Sequence, residues 1–143
     1  MRAMWRFISG LAMVAIIAVG PAKGQANAAD ETAIRGVIES QLAAFQRDDG
    51  PGAYSLASPT IQAKFVNADV FLEMVKTGYP AVYRPREVEF RTLEFKDGRP
   101  FQEVFVVGPD GTPVLAIYEM QRQPDGSWRI NGCWLVRAPE ESV

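Results

Sequence analysis

Residues Arg86 to Arg137 read REVEFRTLEFKDGRPFQEVFVVGPDGTPVLAIYEMQRQPDGSWRINGCWLVR. Apolar and polar residues alternate through four stretches, at about 86–95, 101–108, 113–122 and 127–137, the period of a strand with one buried face. An Asp-Gly pair stands at each junction: Asp97-Gly98, Asp110-Gly111 and Asp125-Gly126. Both residue types tolerate positive φ, so the pairs mark hairpin turns and the strands form an antiparallel meander. In the first strand Val88 and Phe90 share one phase and Leu93 and Phe95 the other. A one-residue slip of this kind is what a bulge produces, and it bends the sheet. Gly132, inside the last strand, marks a second bulge that turns Cys133 and Leu135, rather than Trp134, toward the face of Trp128 and Ile130.

Upstream the period is helical. From Asp30, residues Ile34, Val37, Ile38, Leu42 and Phe45 fall within an arc of about 140° at 100° per residue, an amphipathic helix. Asp30 or Thr32 is expected to cap it and Gly50-Pro51-Gly52 to end it, since proline cannot continue the helical ladder. A short helical piece is expected over Ala53 to Ala57, and another from Ser58-Pro59 to about Phe65. Asn67 caps a third helix with Val70, Phe71, Met74 and Val75 on one face and Gly78 as its stop. Tyr79 to Pro85 is a linker into the strands. The expected fold is α+β, with N-terminal helices packed in the concave face of a bent four-stranded antiparallel sheet.

The front of the chain reads as an export signal, residues 1–28. Arg2 and Arg6 precede the 13-residue apolar stretch Phe7 to Val19, which is short for a bilayer span. Ala26-Asn27-Ala28 places small residues before a cleavage point after Ala28, with cleavage after Ala26 as the alternative. The expected product is a single domain, 29–143, periplasmic or secreted, with no stable membrane insertion. Removing Arg2, Arg6 and Lys23 takes the net charge from −2 to −5, so a nucleic-acid partner is not expected. The domain is long enough to bury roughly two thirds of its unfolded surface. With one cysteine, an internal disulfide is excluded.

The chain has no histidine. Ser-His-Asp and Cys-His nucleophile pairs, HExxH sites and His-ligated zinc are therefore excluded. There is no GxGxxG, P-loop, CxxC, EF-hand, GxSxG or SxxK pattern either, and neither a cofactor nor a metal is expected.

The order of helix, short helices and meander resembles the nuclear transport factor 2-like (cystatin-like) cone fold of ketosteroid isomerase and polyketide-cyclase-like proteins. Phe45 to Gly50 (FQRDDG), Gly78-Tyr79-Pro80, Val82 to Pro85 (VYRP), Tyr118-Glu119-Met120 and Gly126 to Leu135 resemble, more closely, a family of small exported bacterial proteins carrying a domain-of-unknown-function label. Enzymes of the superfamily use a carboxylate base with a tyrosine or acid donor, or a His-Asp pair, and the latter cannot exist here.

Several residues carry chemistry beyond packing. Gln41 lies about 20° from Ile34 on the apolar arc, where its amide needs a partner or faces a pocket. Asp48 follows one turn before the helix ends, either as a general base or in turn bonds. Tyr79, Tyr83, Arg84 and Arg86 crowd two phenols and two guanidinium groups into eight residues. Arg84 and Arg86 can clamp a carboxylate or phosphate while the tyrosines stack against an apolar body, or the arginines can pair with the protein's own acids. Tyr118 shares the inward face with Val114, Ala116 and Met120, and its hydroxyl can donate to a substrate oxygen. Cys133 reads as a buried small hydrophobe rather than a reactive thiol.

The expected ligand-binding set is Gln41, Tyr79, Tyr83, Arg84, Arg86, Tyr118 and Trp128, with Asp48 and Tyr118 as catalytic candidates. The leading expectation is a small-molecule binder with a cone-shaped pocket. One alternative is a cofactor-free isomerase or dehydratase with Asp48 as base and Tyr118 or Gln41 as donor, and another is an interaction module with a filled core. Apolar residues on both sheet faces further predict a homodimer through the sheet, because one layer of helices covers one face.

Overall fold

The computed structural model describes residues 27–139. The proposed leader, apart from its last two residues, and the end of the C-terminal segment lie outside the described residues.

Helix α1 is Ala28–Gln46 and starts on Asn27, which is extended (ψ 165°) and whose side chain accepts from the Asp30 N–H at 2.8 Å. The cap therefore lies upstream of the expected Asp30 or Thr32, because Ala28 and Ala29 propagate a helix readily. Asp30 instead sits in the first turn, where a negative charge suits the helix dipole, and pairs with Arg122 at 2.9 Å. Ile34, Ile38, Leu42 and Phe45 form the buried stripe, with Gln41 among them.

Gly50-Pro51-Gly52 does not stop α1, which ends at Gln46 with Asp48 in the left-handed region (φ 55°). It opens helix α2, Gly50–Ser55, displacing the piece expected over Ala53 to Ala57. Asp49 caps it by accepting from Gly52 N–H at 2.9 Å, and Pro51 occupies the first turn, where a missing N–H has no cost. Gly52 is needed there: a Cβ would lie 2.2 Å from Asp49 Oδ2.

Ser58 caps α3, Pro59–Gln62, which is shorter than expected; Asn67 caps α4, Ala68–Gly78, as expected. On α4, Phe71 and Val75 are buried while Val70 is exposed. The linker contains one more helical turn, α5, Pro80–Tyr83, with proline again in the first turn and Ala81, Val82 and Tyr83 buried.

Strands β1 (Glu87–Lys96), β2 (Arg99–Val107), β3 (Pro113–Arg122) and β4 (Trp128–Arg137) pair in sequence order, all antiparallel. Asp97 and Gly98 both have positive φ (51° and 76°), the backbone that a two-residue hairpin loop requires. Both expected bulges are present. The β1–β2 register slips between Phe90 and Leu93, and the β3–β4 register slips between Glu119 and Met120, opposite Asn131 and Gly132. Val104, Val106, Ala116, Tyr118, Met120, Trp128 and Ile130 share a core with the helices, while Trp134 is exposed on the other face. The start of β4 is covered at its edge by the α2–α3 connection, where Ser58 N–H donates to Ile130 O and Ile130 N–H to Leu56 O. No helix among the described residues is long and apolar enough to cross a membrane.

Candidate functional site

Between the helices and the sheet lies a cavity of about 350 Å³. Its helical wall is aromatic: Phe71 lies 5.4 Å from Phe65, edge-on, and 6.2 Å from Phe45, with Met74 and Val75 beside them. Its sheet wall is Tyr118, Ile130 and Cys133, where the β4 bulge has turned Cys133 inward opposite Tyr118. Gln41 and Tyr79 also line it.

Tyr118 is 1 % exposed, and its hydroxyl is the one buried side-chain oxygen or nitrogen among the described residues that makes no hydrogen bond of ordinary geometry; the Cys133 thiol beside it is a weak partner that leaves the hydroxyl poorly satisfied. Burial, and then the adjacent Cys133, push the phenol well above its ordinary range, so it stays protonated and is a hydrogen-bond donor. Burial likewise pushes the Cys133 thiol up to about 12, with the Tyr118 hydroxyl acting in the opposite direction. That thiol is not a nucleophile near neutrality. Gln41 donates through Nε2 to Ala53 O at 3.1 Å, which leaves its Oε1 for the cavity.

Asp48 does not line the cavity. Its carboxylate, with the side chain 60 % exposed, accepts from the Tyr83 hydroxyl and from Arg84 Nη2 at 2.7 Å. Those bonds, Tyr83 first and Arg84 second, hold its carboxyl below the usual range, which is unsuited to a general base at neutral pH. Arg84 also donates to Phe45 O in the last turn of α1, a carbonyl that also accepts from the Asp48 N–H at 3.1 Å. Tyr83 and Arg84 thus clamp an acid, as their chemistry suggests, but the acid is the protein's own and the clamp ties α5 to α1. Arg86 lies beside the β2–β3 turn, near Asp110 and Gly111, and its backbone N–H donates to Val107 O. Trp128 is buried in the core outside the cavity and carries Arg122 over its ring at 4.9 Å. Of the seven residues expected to bind a ligand, the structure brings together Gln41, Tyr79 and Tyr118. It adds Ile61, Phe65, Phe71, Met74 and Cys133.

The Asp48 clamp has a pH signature. A carboxylate whose pKa is depressed on folding contributes stability above its unfolded pKa, lost as pH falls through the folded pKa. The advantage of wild type over Asp48→Asn is expected to be full at pH 7 and to shrink below the ordinary value of 3.8 in denaturant melts. A pH-independent difference would reject the assignment.

The family model for the domain of unknown function DUF4864 matches residues 27–143. The chain belongs to the DUF4864 family. A solved structure similar to this DUF4864 chain is the crystal structure of an NTF-2-like protein of unknown function from Burkholderia xenovorans LB400. It has 13 % sequence identity and a TM-score of 0.48, covering 78 % of this chain and 89 % of that one. No curated protein matches the DUF4864 chain. Among its described residues no cluster of three or more His, Cys, Asp or Glu side chains is placed to hold a metal ion.

Proposed function

We propose that this is an exported domain that binds a small apolar or amphipathic molecule in the cavity between helices and sheet. The observation that carries the reading is the Tyr118 hydroxyl, buried on an apolar wall where no oxygen or nitrogen partners it and only the weakly bonding Cys133 thiol stands beside it. Leaving such a group unsatisfied costs about 1–3 kcal/mol, which a ligand oxygen would offset once the side chains that cover the hydroxyl turn aside to admit it. A cavity of about 350 Å³ lies within the range that small molecules occupy, and it speaks against a wholly filled core. The enzymatic alternative requires its base and donor at one substrate. No acid lines the cavity and Asp48 is held elsewhere, so binding is the better-supported reading.

The test is mass spectrometry of small molecules extracted from protein purified out of the exported fraction. A reproducible molecule near one per chain supports the reading, and an empty cavity that also rejects hydrophobic dyes overturns it. N-terminal sequencing of the same sample reads the leader. Cleavage after Ala28 removes the Asn27 cap of α1 and cleavage after Ala26 keeps it; a chain retained in membranes from residue 1 would contradict export.

The outer face of the sheet supports pairing of two copies. Ile117 lies there with Trp134 (49 % exposed) and Val136 (45 %), and the Phe101 and Trp134 rings lie 6.4 Å apart. Beside them Glu119 is buried and held by Arg99 and Asn131. The helices pack on the opposite face. A two-fold axis is the simplest closure for one self-complementary patch. Sedimentation across micromolar concentrations is expected to show a dimer that Ile117→Lys dissociates without unfolding it. A monomer at every concentration would defeat the idea.

A further inference from the structure

The polar groups lining the cavity are of two kinds, one charged and exposed and the others neutral and buried, and they suit different parts of a ligand. Lys64, in the turn after α3, is the single charged residue among those lining it, and it is exposed. The charge therefore stands at the mouth, in reach of water. The inner end holds neutral groups: Tyr118 and Gln41, both at least nine-tenths buried, and the Cys133 thiol. Phe45, Phe65, Phe71 and Met74 supply apolar lining. A ligand anion pushed to the inner end would lose its hydration with no cation to replace it, a heavy cost. An inner end without any oxygen would leave the Tyr118 hydroxyl unsatisfied.

Building on the ligand-binding reading, we propose that the ligand class is an amphipathic anion whose acidic group pairs with Lys64 at the mouth, and whose apolar body carries a neutral oxygen at its far end, accepting from the Tyr118 hydroxyl. Hydroxylated or oxo-substituted carboxylic acids have this pattern. Simple fatty acids have the anion without the inner oxygen, and neutral alcohols have the oxygen without the anion.

The test uses octanoate, decanoate and dodecanoate, their ω-hydroxy counterparts and the methyl esters of those hydroxy acids, each displacing a fluorescent hydrophobic dye from the purified protein. A merely greasy cavity prefers the more apolar member of each pair, so the predicted order is the reverse of the hydrophobic one. At the chain length that fits, the hydroxy acid is expected to bind about threefold to tenfold tighter than the plain acid, an advantage abolished in Tyr118→Phe. The hydroxy acid should also bind about twofold to fivefold tighter than its ester, a difference abolished in Lys64→Gln. Both variants are expected to keep the fold, which their far-ultraviolet circular dichroism checks, since one removes a poorly satisfied hydroxyl and the other an exposed ammonium group. Tight binding in the hydrophobic order would overturn the assignment of ligand class and leave the cavity a binding site. Failure of every compound and of the dye would overturn both.

Discussion

Replacing Trp128 by Ala is expected to destabilise the fold by about 3–5 kcal/mol, the usual range for a large aromatic removed from a core. The side chain opens β4 directly after the Asp125-Gly126 turn and is 8 % exposed. It packs with Met120 and Ile130 in the common core and supports the Arg122 guanidinium on its face. Arg122 in turn pairs with Asp30 in the first turn of α1. The substitution thus opens a cavity and frees the arginine that joins sheet to helix. Since Trp128 does not line the ligand cavity, the folded fraction of the variant should bind dye as wild type does. A loss below about 1 kcal/mol in denaturant melts would mean that the indole is not a core element.

Phe45→Ala is expected to cost a similar amount, about 3–5 kcal/mol, with a different signature. Phe45 is 1 % exposed in the last turn of α1, and its ring lies 5.7 Å from Tyr83 and 6.2 Å from Phe71. It joins α1 to both α4 and α5 and also forms part of the cavity wall. Removing it enlarges the binding site, so bulky apolar molecules that wild type excludes should raise the variant's melting temperature by mass action. Destabilisation with no such rescue would mean that the space closes by collapse of α4 rather than remaining open.

The sheet was legible in the sequence because strands alternate with a period of two and Asp-Gly has few other uses between apolar runs. Even the bulges left traces, a phase slip at Phe90 and Leu93 and a glycine at position 132. Helix ends were less legible, for a physical reason. Asn27, Asp30 and Thr32 can all cap a helix, and proline suits both the residues after one helix and the first turn of the next. Gly50-Pro51-Gly52 plays the second role because Asp49 caps α2.

Within the candidate site, Gln41 is legible as a polar group on an apolar helical arc and Tyr118 as one on the apolar face of a strand. Phe65, Phe71 and Met74 are not, because an apolar helical stripe looks the same whether it meets a filled core or a cavity. The sequence offers Arg84 and Arg86 either as a joint clamp for a ligand anion or as partners of the protein's own acids; Arg84 takes the second role and Tyr83 joins it, but nothing local announces that Asp48, dozens of residues upstream, is the acid.

The most direct measurement of the central claim is a four-way comparison of unfolding free energies, for wild type and Tyr118→Phe, each stripped and each saturated with the molecule extracted from the protein. If the Tyr118 hydroxyl is an unpartnered group kept for a ligand, the stripped variant is at least as stable as stripped wild type, with a gain of up to about 1–3 kcal/mol. The ligand then stabilises the variant less than wild type. A stripped variant that is clearly less stable, or equal stabilisation of both by the ligand, would contradict the account.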